Sequence, residues 1–244
     1  MTGPTGRGAR LGVAALALAL LARGALAGEA QDRLFALGAL DEVRTGETLV
    51  YDFSREGAYS GDKLDKIAHG EARLTVEPGE EAGKRAAVAL VRDGDKLIAN
   101  FDPFPADAGN PMFMVFMEEA VATMSKLTGG SSFYIRNRMR EALGAQDAVE
   151  ETTVAYEGRE VPARVLTFQP FLSDRNADKM GPAFVDLTIR FTMSDEIPGE
   201  FARMEAVTGP DAAAPDAARA GGAAKPEAPP LMDLSLTLSK IEEG

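Results

Sequence analysis

Cysteine is absent from this 244-residue chain, and histidine occurs once, at His69. Without cysteine there can be no disulfide, no Cys–His nucleophile and no lipid-bearing cysteine at an export cleavage site. A single histidine rules out a zinc site built from several imidazoles. A Ser–His–Asp triad would have to use His69, and no G-x-S-x-G turn exists to present its serine. His69 lies in the polar stretch KIAHGEARL, which reads as a turn with a solvated imidazole. Long apolar runs are also missing. Leu11–Ala22 covers twelve residues, against the roughly 20 needed to span a bilayer, so no stable membrane insertion is expected.

That short run belongs to an export signal. Arg7 and Arg10 precede it, no acid occurs in the first 27 residues, and the stretch ends in Ala25-Leu26-Ala27, a small-x-small cleavage pattern. Residues 1–27 are therefore read as a signal peptide, and the product as periplasmic or secreted. Cleavage would remove three of the 26 bases and none of the 38 acids, taking the formal charge from −12 to −15. So acidic a surface repels phosphate backbones and bulk anionic lipid, so no nucleic-acid partner is expected and solubility is favoured.

The rest of the chain is strand-rich. Leu49, Tyr51 and Phe53 alternate along Thr48–Phe53, and strands are also read over 71–77, 86–91 and 96–101, with Asp93-Gly94 as a hairpin signal. The period then changes. Asn110-Pro111 opens a helix from Met112 to Leu127, Gly129-Gly130 stops it, and Ser131 or Ser132 caps a second helix over Phe133–Leu143. Strands resume at 152–156, 161–168, 184–193 and 201–207, with a turn at Glu157-Gly158 and a polar loop at 174–181. Residues 209–230 contain only Gly, Pro, Ala, Asp, Glu, Lys and Arg, a composition that favours disorder. A final strand, 231–241, places Met232, Leu234, Leu236 and Leu238 on one face. Strands, a helix pair and strands again, with no strand–helix–strand alternation, predict an α+β fold: a curved antiparallel sheet of about eight to nine strands packed against a central helix pair. Because a core-quality strand follows the Ala/Pro-rich tract, residues 28–244 read as a single exported domain with an insertion at 209–230.

No catalytic set stands out, and neither an enzyme nor a cofactor is expected. The paired acids Glu118-Glu119 and Glu150-Glu151 are adjacent, so their side chains diverge. Met112, Met114 and Met117 could suggest thioether ligands for copper(I). On a helix 112 and 114 point apart, however, and the surrounding Phe113, Val115 and Phe116 indicate an all-round apolar, buried helix, so no metal is expected. The second helix gathers Arg136, Arg138 and Arg140 in an acidic chain. One reading pairs them with surplus carboxylates. The other makes Arg136 and Arg140, with Tyr134 and Asn137 nearby, a positive patch for an anionic headgroup, a carboxylate or an acidic partner. The first helix could also leave an apolar groove beneath the sheet, lined by Met112, Phe113, Phe116 and Met117.

The element order and the opening strand Gly46-Glu47-x-Leu49-x-Tyr51-x-Phe53 resemble the periplasmic half-barrel proteins of the LolA-like lipoprotein-carrier type over roughly residues 45–241. The segment GNPMFMVFMEEAV…TGGSSFYIRNRMREAL is similar to one found in uncharacterised exported bacterial proteins, and it implies no function. The half-barrel resemblance implies a curved sheet. The expectation that follows is a soluble binding or carrier protein for an apolar or amphipathic ligand, such as a lipid or a lipidated envelope partner. The alternative is a structural or accessory envelope protein with a filled core.

Overall fold

Alternation along the first strand decides which face of the sheet becomes the core. In β1 (Thr48–Glu56), Leu49, Tyr51 and Phe53 are buried on one side while Asp52 is exposed on the other. The same period-two pattern buries Ala72, Leu74 and Val76 in β2 (Ile67–Pro78) and Ala87, Ala89 and Val91 in β3 (Arg85–Asp93). A short β4 (Lys96–Asn100) and a two-residue β5 (Phe104–Pro105) both pair with β3. This computed structural model describes residues 34–81, 83–144, 148–209 and 229–244. The expected signal peptide, and residues 210–228 of the expected insertion, lie outside the described residues.

Two helices follow, α1 (Met112–Thr128) and α2 (Ser132–Gly144), within a residue or two of the bounds read from the sequence. The remaining strands are β6 (Ala148–Tyr156), β7 (Arg159–Phe168), β8 (Thr188–Met193), β9 (Phe201–Val207) and β10 (Asp233–Glu242). Between β7 and β8 lie a 3-10 turn at Ala177–Met180 and the single-turn helix α3 (Pro182–Val185). The strand order is β4-β3-β2-β1-β10-β9-β8-β7-β6, all antiparallel. The fold is thus an open, curved antiparallel sheet on which two substantial helices pack, the α+β arrangement expected. Each half is a meander of neighbouring strands, and the halves join where β1 pairs with β10 from Thr48↔Glu242 to Glu56↔Asp233.

Three local readings are corrected. His69 lies within β2, not in a turn, though its side chain is exposed as expected. Phe184 belongs to α3, because Pro182 fixes a helical φ just ahead of it, so the strand starts only at Thr188. Helix α1 is not buried all round: Met112, Phe113, Val115, Phe116, Ala120, Val121 and Met124 are buried, but Met114, Ala122 and Lys126 are exposed. The Glu157-Gly158 signal does make the β6–β7 hairpin, with Tyr156 opposite Arg159 and φ values of 48° and 78°. Positive φ at both loop residues is the signature of a type I′ turn, whose twist matches its strands.

Helix α1 is held at both ends. The Asn110 side-chain oxygen accepts the Met112 N–H at 2.9 Å, as a cap does, and its amide donates to the Gly199 carbonyl at 2.7 Å. At the other end Gly129 turns left-handed (φ 71°) and its N–H returns to the Ser125 carbonyl at 2.9 Å. Between these anchors Phe113 and Phe116 meet the β8 ring Phe191 at centroid distances of 5.3 and 5.7 Å, and Phe168 and Phe201 complete the aromatic cluster. Such edge-to-face and tilted contacts add about 0.5–1.5 kcal/mol per pair beyond burial.

Candidate functional site

The inward-facing row of β1 does not end in an apolar residue. After Leu49, Tyr51 and Phe53 the next position on that face is Arg55, which is buried. Its guanidinium lies 5.9 Å from the centre of the Phe53 ring, donates to the Asp65 carbonyl at 3.2 Å, and donates to Glu119 of α1 at 3.2 Å. The side chains of this pair are only 8% and 10% exposed, so the pair is largely withdrawn from water. Burial pushes the Glu119 carboxyl above its ordinary value, against the opposing pull of Arg55 and Lys126.

Around this pair opens a cleft of about 430 Å³ with three walls. The β1–β2 connection supplies Gly61–Asp65, the strand β4 supplies Lys96, Leu97 and Ile98, and α1 supplies Glu119, Ala122, Thr123 and Lys126. The helical spacing of 119, 122, 123 and 126 places those four on one face. The connection is tied down locally: the Tyr59 hydroxyl donates to the Arg55 carbonyl at 3.1 Å, and Lys66 Nζ donates to the Gly57 carbonyl at 2.6 Å. Across the mouth Lys96 pairs with Asp65 at 3.0 Å and holds that carboxyl below its usual range. Lys63 and Lys126 make no ion pair with a described residue. Thr123 is 1% exposed, and its hydroxyl has no hydrogen-bond partner although the residue lines the cleft. Leu64, Leu97, Ile98 and Ala122 give the walls an apolar component.

The residues singled out in the sequence fall in two other places. Met112, Phe113, Phe116 and Met117 are all buried in the core cluster shared with the strands, under the aromatic contacts described above. Tyr134, Arg136 and Arg140 lie on α2. The Tyr134 hydroxyl donates to Asp174 and accepts from the Asn176 amide at 3.4 Å. Arg136 grips Glu118 of α1 with two hydrogen bonds of 2.8 and 2.7 Å, which lowers the carboxyl's pKa, and Arg140 donates to Asn137 at 3.2 Å. The two sets do not converge on one another. Glu118 and Glu119 do point apart, as their adjacency requires, but each finds an arginine: Glu118 ties α1 to α2, and Glu119 ties α1 to β1. The cleft was missed because Arg55 and Glu119 are 64 residues apart. The readable signal was the polar stripe Glu119, Thr123, Lys126 on a helix otherwise rich in Met and Phe.

Among the described residues no three His, Cys, Asp or Glu side chains group as metal ligands, and no helix is long and apolar enough to cross a membrane. No family model matches the chain, and no curated protein matches it. Among solved structures it matches the Mycobacterium tuberculosis lipoprotein LppX, 13% identical, with 93% of this chain and 97% of that one covered and a TM-score of 0.34.

Proposed function

We propose that this chain is an exported, periplasmic or secreted binding protein that carries an amphipathic ligand, and that the cleft between β4, the β1–β2 connection and α1 is where the ligand is held. The observation that carries this reading is the cleft itself: about 430 Å³, within the range of small-ligand sites, with a mainly polar lining, some apolar side chains and a buried charged pair. The N-terminal pattern of residues 1–27 and the resemblance to LolA-like half-barrels support export and carriage. We read residues 28–244 as one unit, a reading supported by the single sheet that both meanders share among the described residues. The lining combines leucine and isoleucine with lysine and arginine, which suits a molecule with an apolar tail and a polar head better than a wholly apolar one.

A second reading, a structural or accessory envelope protein, is favoured by the aromatic packing under α1, where Phe113 and Phe116 interlock with Phe191. Native mass spectrometry of the chain purified from the periplasm of a bacterial host separates the two. The carrier reading expects an adduct of amphiphile mass that is lost on organic extraction, and displacement of a fluorescent fatty acid by the extract. A clean apo mass together with no fluorescent fatty-acid binding overturns the carrier and leaves the accessory protein.

A further inference from the structure

We propose that the cleft recognises its ligand through an oxyanion, a carboxylate or a phosphate, held by the Thr123 hydroxyl and the Lys126 ammonium. The inference rests on the reading of the cleft as the ligand site. Four cations and three carboxylates line it: Arg55, Lys63, Lys96 and Lys126 against Asp62, Asp65 and Glu119. Two of each sign are consumed by the pairs Arg55–Glu119 and Lys96–Asp65. What remains is two lysines against Asp62, a local surplus of positive charge on a chain whose formal net charge is −12. Surplus cations beside a withdrawn, water-poor floor attract an anion more strongly than they would on an open surface.

Thr123 adds direction to this charge. A buried hydroxyl without a partner costs stability, and valine would fill the same volume without that cost. The hydroxyl is one helical turn from Lys126 and one turn from Glu119, on the face that lines the cleft. Once the closed-off Thr123 side chain turns about χ1 toward the cleft, an oxygen of a bound anion would accept from it and from the lysine at once. Arg55 and Glu119 form a charge-balanced floor: the carboxylate and the Asp65 carbonyl hold the guanidinium in place, and the lysines supply the net attraction. The tail then lies along Leu97 and Ile98.

Isothermal titration calorimetry of the purified chain tests this with acetate, inorganic phosphate, decanoate, decyl phosphate and decanol as probes. Decanoate or decyl phosphate is expected to bind about tenfold or more tightly than decanol, and their order tells carboxylate from phosphate. Lys126→Met and Thr123→Val should each weaken the anionic probes by about tenfold while decanol affinity holds; the melting temperature should hold in Lys126→Met and rise slightly in Thr123→Val, which removes the unpartnered hydroxyl. Thr123→Ser, which keeps the hydroxyl, should restore binding. Decanol binding as tightly as the anions, or anion affinity unmoved by both variants, overturns the oxyanion site and leaves the amphiphile reading intact. Acetate or phosphate binding as tightly as the ten-carbon probes, with sensitivity to both variants, supports the oxyanion site and sinks the amphiphile reading. No heat from any probe overturns both.

Discussion

Arg55 and Glu119 illustrate how a buried ion pair differs from a surface one. Each group has left water, and each depends on the other and on its hydrogen bonds for compensation. Glu119→Ala should therefore cost about 3–5 kcal/mol in urea unfolding, because it strands a buried guanidinium. Arg55→Met combined with Glu119→Leu should recover most of that loss. If the double variant is as unstable as the single one, the pair is not where the energy lies. The same residue sets a pH signature. Burial raises the Glu119 carboxyl above its ordinary 4.5, so the folded chain keeps this proton when the unfolded chain has released it. The contribution is fully present below about pH 4.5 and is lost as pH rises through the folded value. Glu242 behaves oppositely. Hydrogen bonds from Arg73 and Lys240 hold its carboxyl at about 2, so its contribution is present above 4.5 and is lost as pH falls towards 2. Glu119→Gln should flatten the decline above pH 4.5, and Glu242→Gln the decline below it, in urea midpoints measured against pH. Profiles parallel to the parent's would remove both assignments.

At the scale of elements, Asn110 is the joint between the helical layer and the sheet. It caps α1 through its oxygen, and its amide reaches Gly199 in the β8–β9 connection and the Tyr51 hydroxyl in β1, at 2.7 and 3.4 Å. Gly199 has to be glycine here. Its φ is 80°, and a Cβ would fall 2.8 Å from the Asn110 amide nitrogen and 2.7 Å from a Leu49 methyl. Asn110→Ala removes a helix cap and takes one of two donors from the Gly199 carbonyl, which keeps the Phe201 N–H at 2.9 Å, for about 1–2 kcal/mol in total. Amide exchange should quicken at both Met112–Val115 and Ser194–Glu200. Acceleration confined to the helix would show that the two are not coupled. The Asn-Pro start of α1 was legible in the sequence because capping is a local code, and so were the Gly129 stop and the Glu157-Gly158 turn. The Gly199 contact was not, since it joins residues 89 positions apart. His69 was misread for a related reason: Gly70 reads as a breaker in isolation, yet in the sheet it sits opposite Phe53, where its missing side chain leaves room for the ring. Beyond the polar stripe on α1, the cleft was illegible for the same reason as the joint: it is assembled from distant segments, and the connection and the β3–β4 hairpin alone read as ordinary loop and turn.

For the molecule as a whole, the decisive seam is β10, which pairs with β1 on one side and β9 on the other. The chain between β9 and β10 leaves and returns at nearly one point. The Thr208 N–H donates to the Met232 carbonyl at 3.0 Å, the Met232 N–H donates to the Thr208 hydroxyl at 3.0 Å, and a Cβ on Gly209 would sit 3.9 Å from the Pro230 Cα. Those contacts close a hairpin without calling on residues 210–228, and the register from Asp233↔Val207 to Thr237↔Arg203 is set by the alternation of Leu234 and Leu236 against Met204 and Ala206. Replacing residues 211–228 with a four-residue Gly/Ser linker should therefore preserve the fold. Cutting the loop closed at Thr208 and Met232 about 2.5-fold lowers the entropic cost of closing it by about 0.8 kcal/mol, so the urea midpoint should rise slightly. Near-ultraviolet circular dichroism and the binding of decanoate should match the parent. A clear loss of stability would show that the Ala/Pro-rich residues pack on the sheet, and would move them from connector to core.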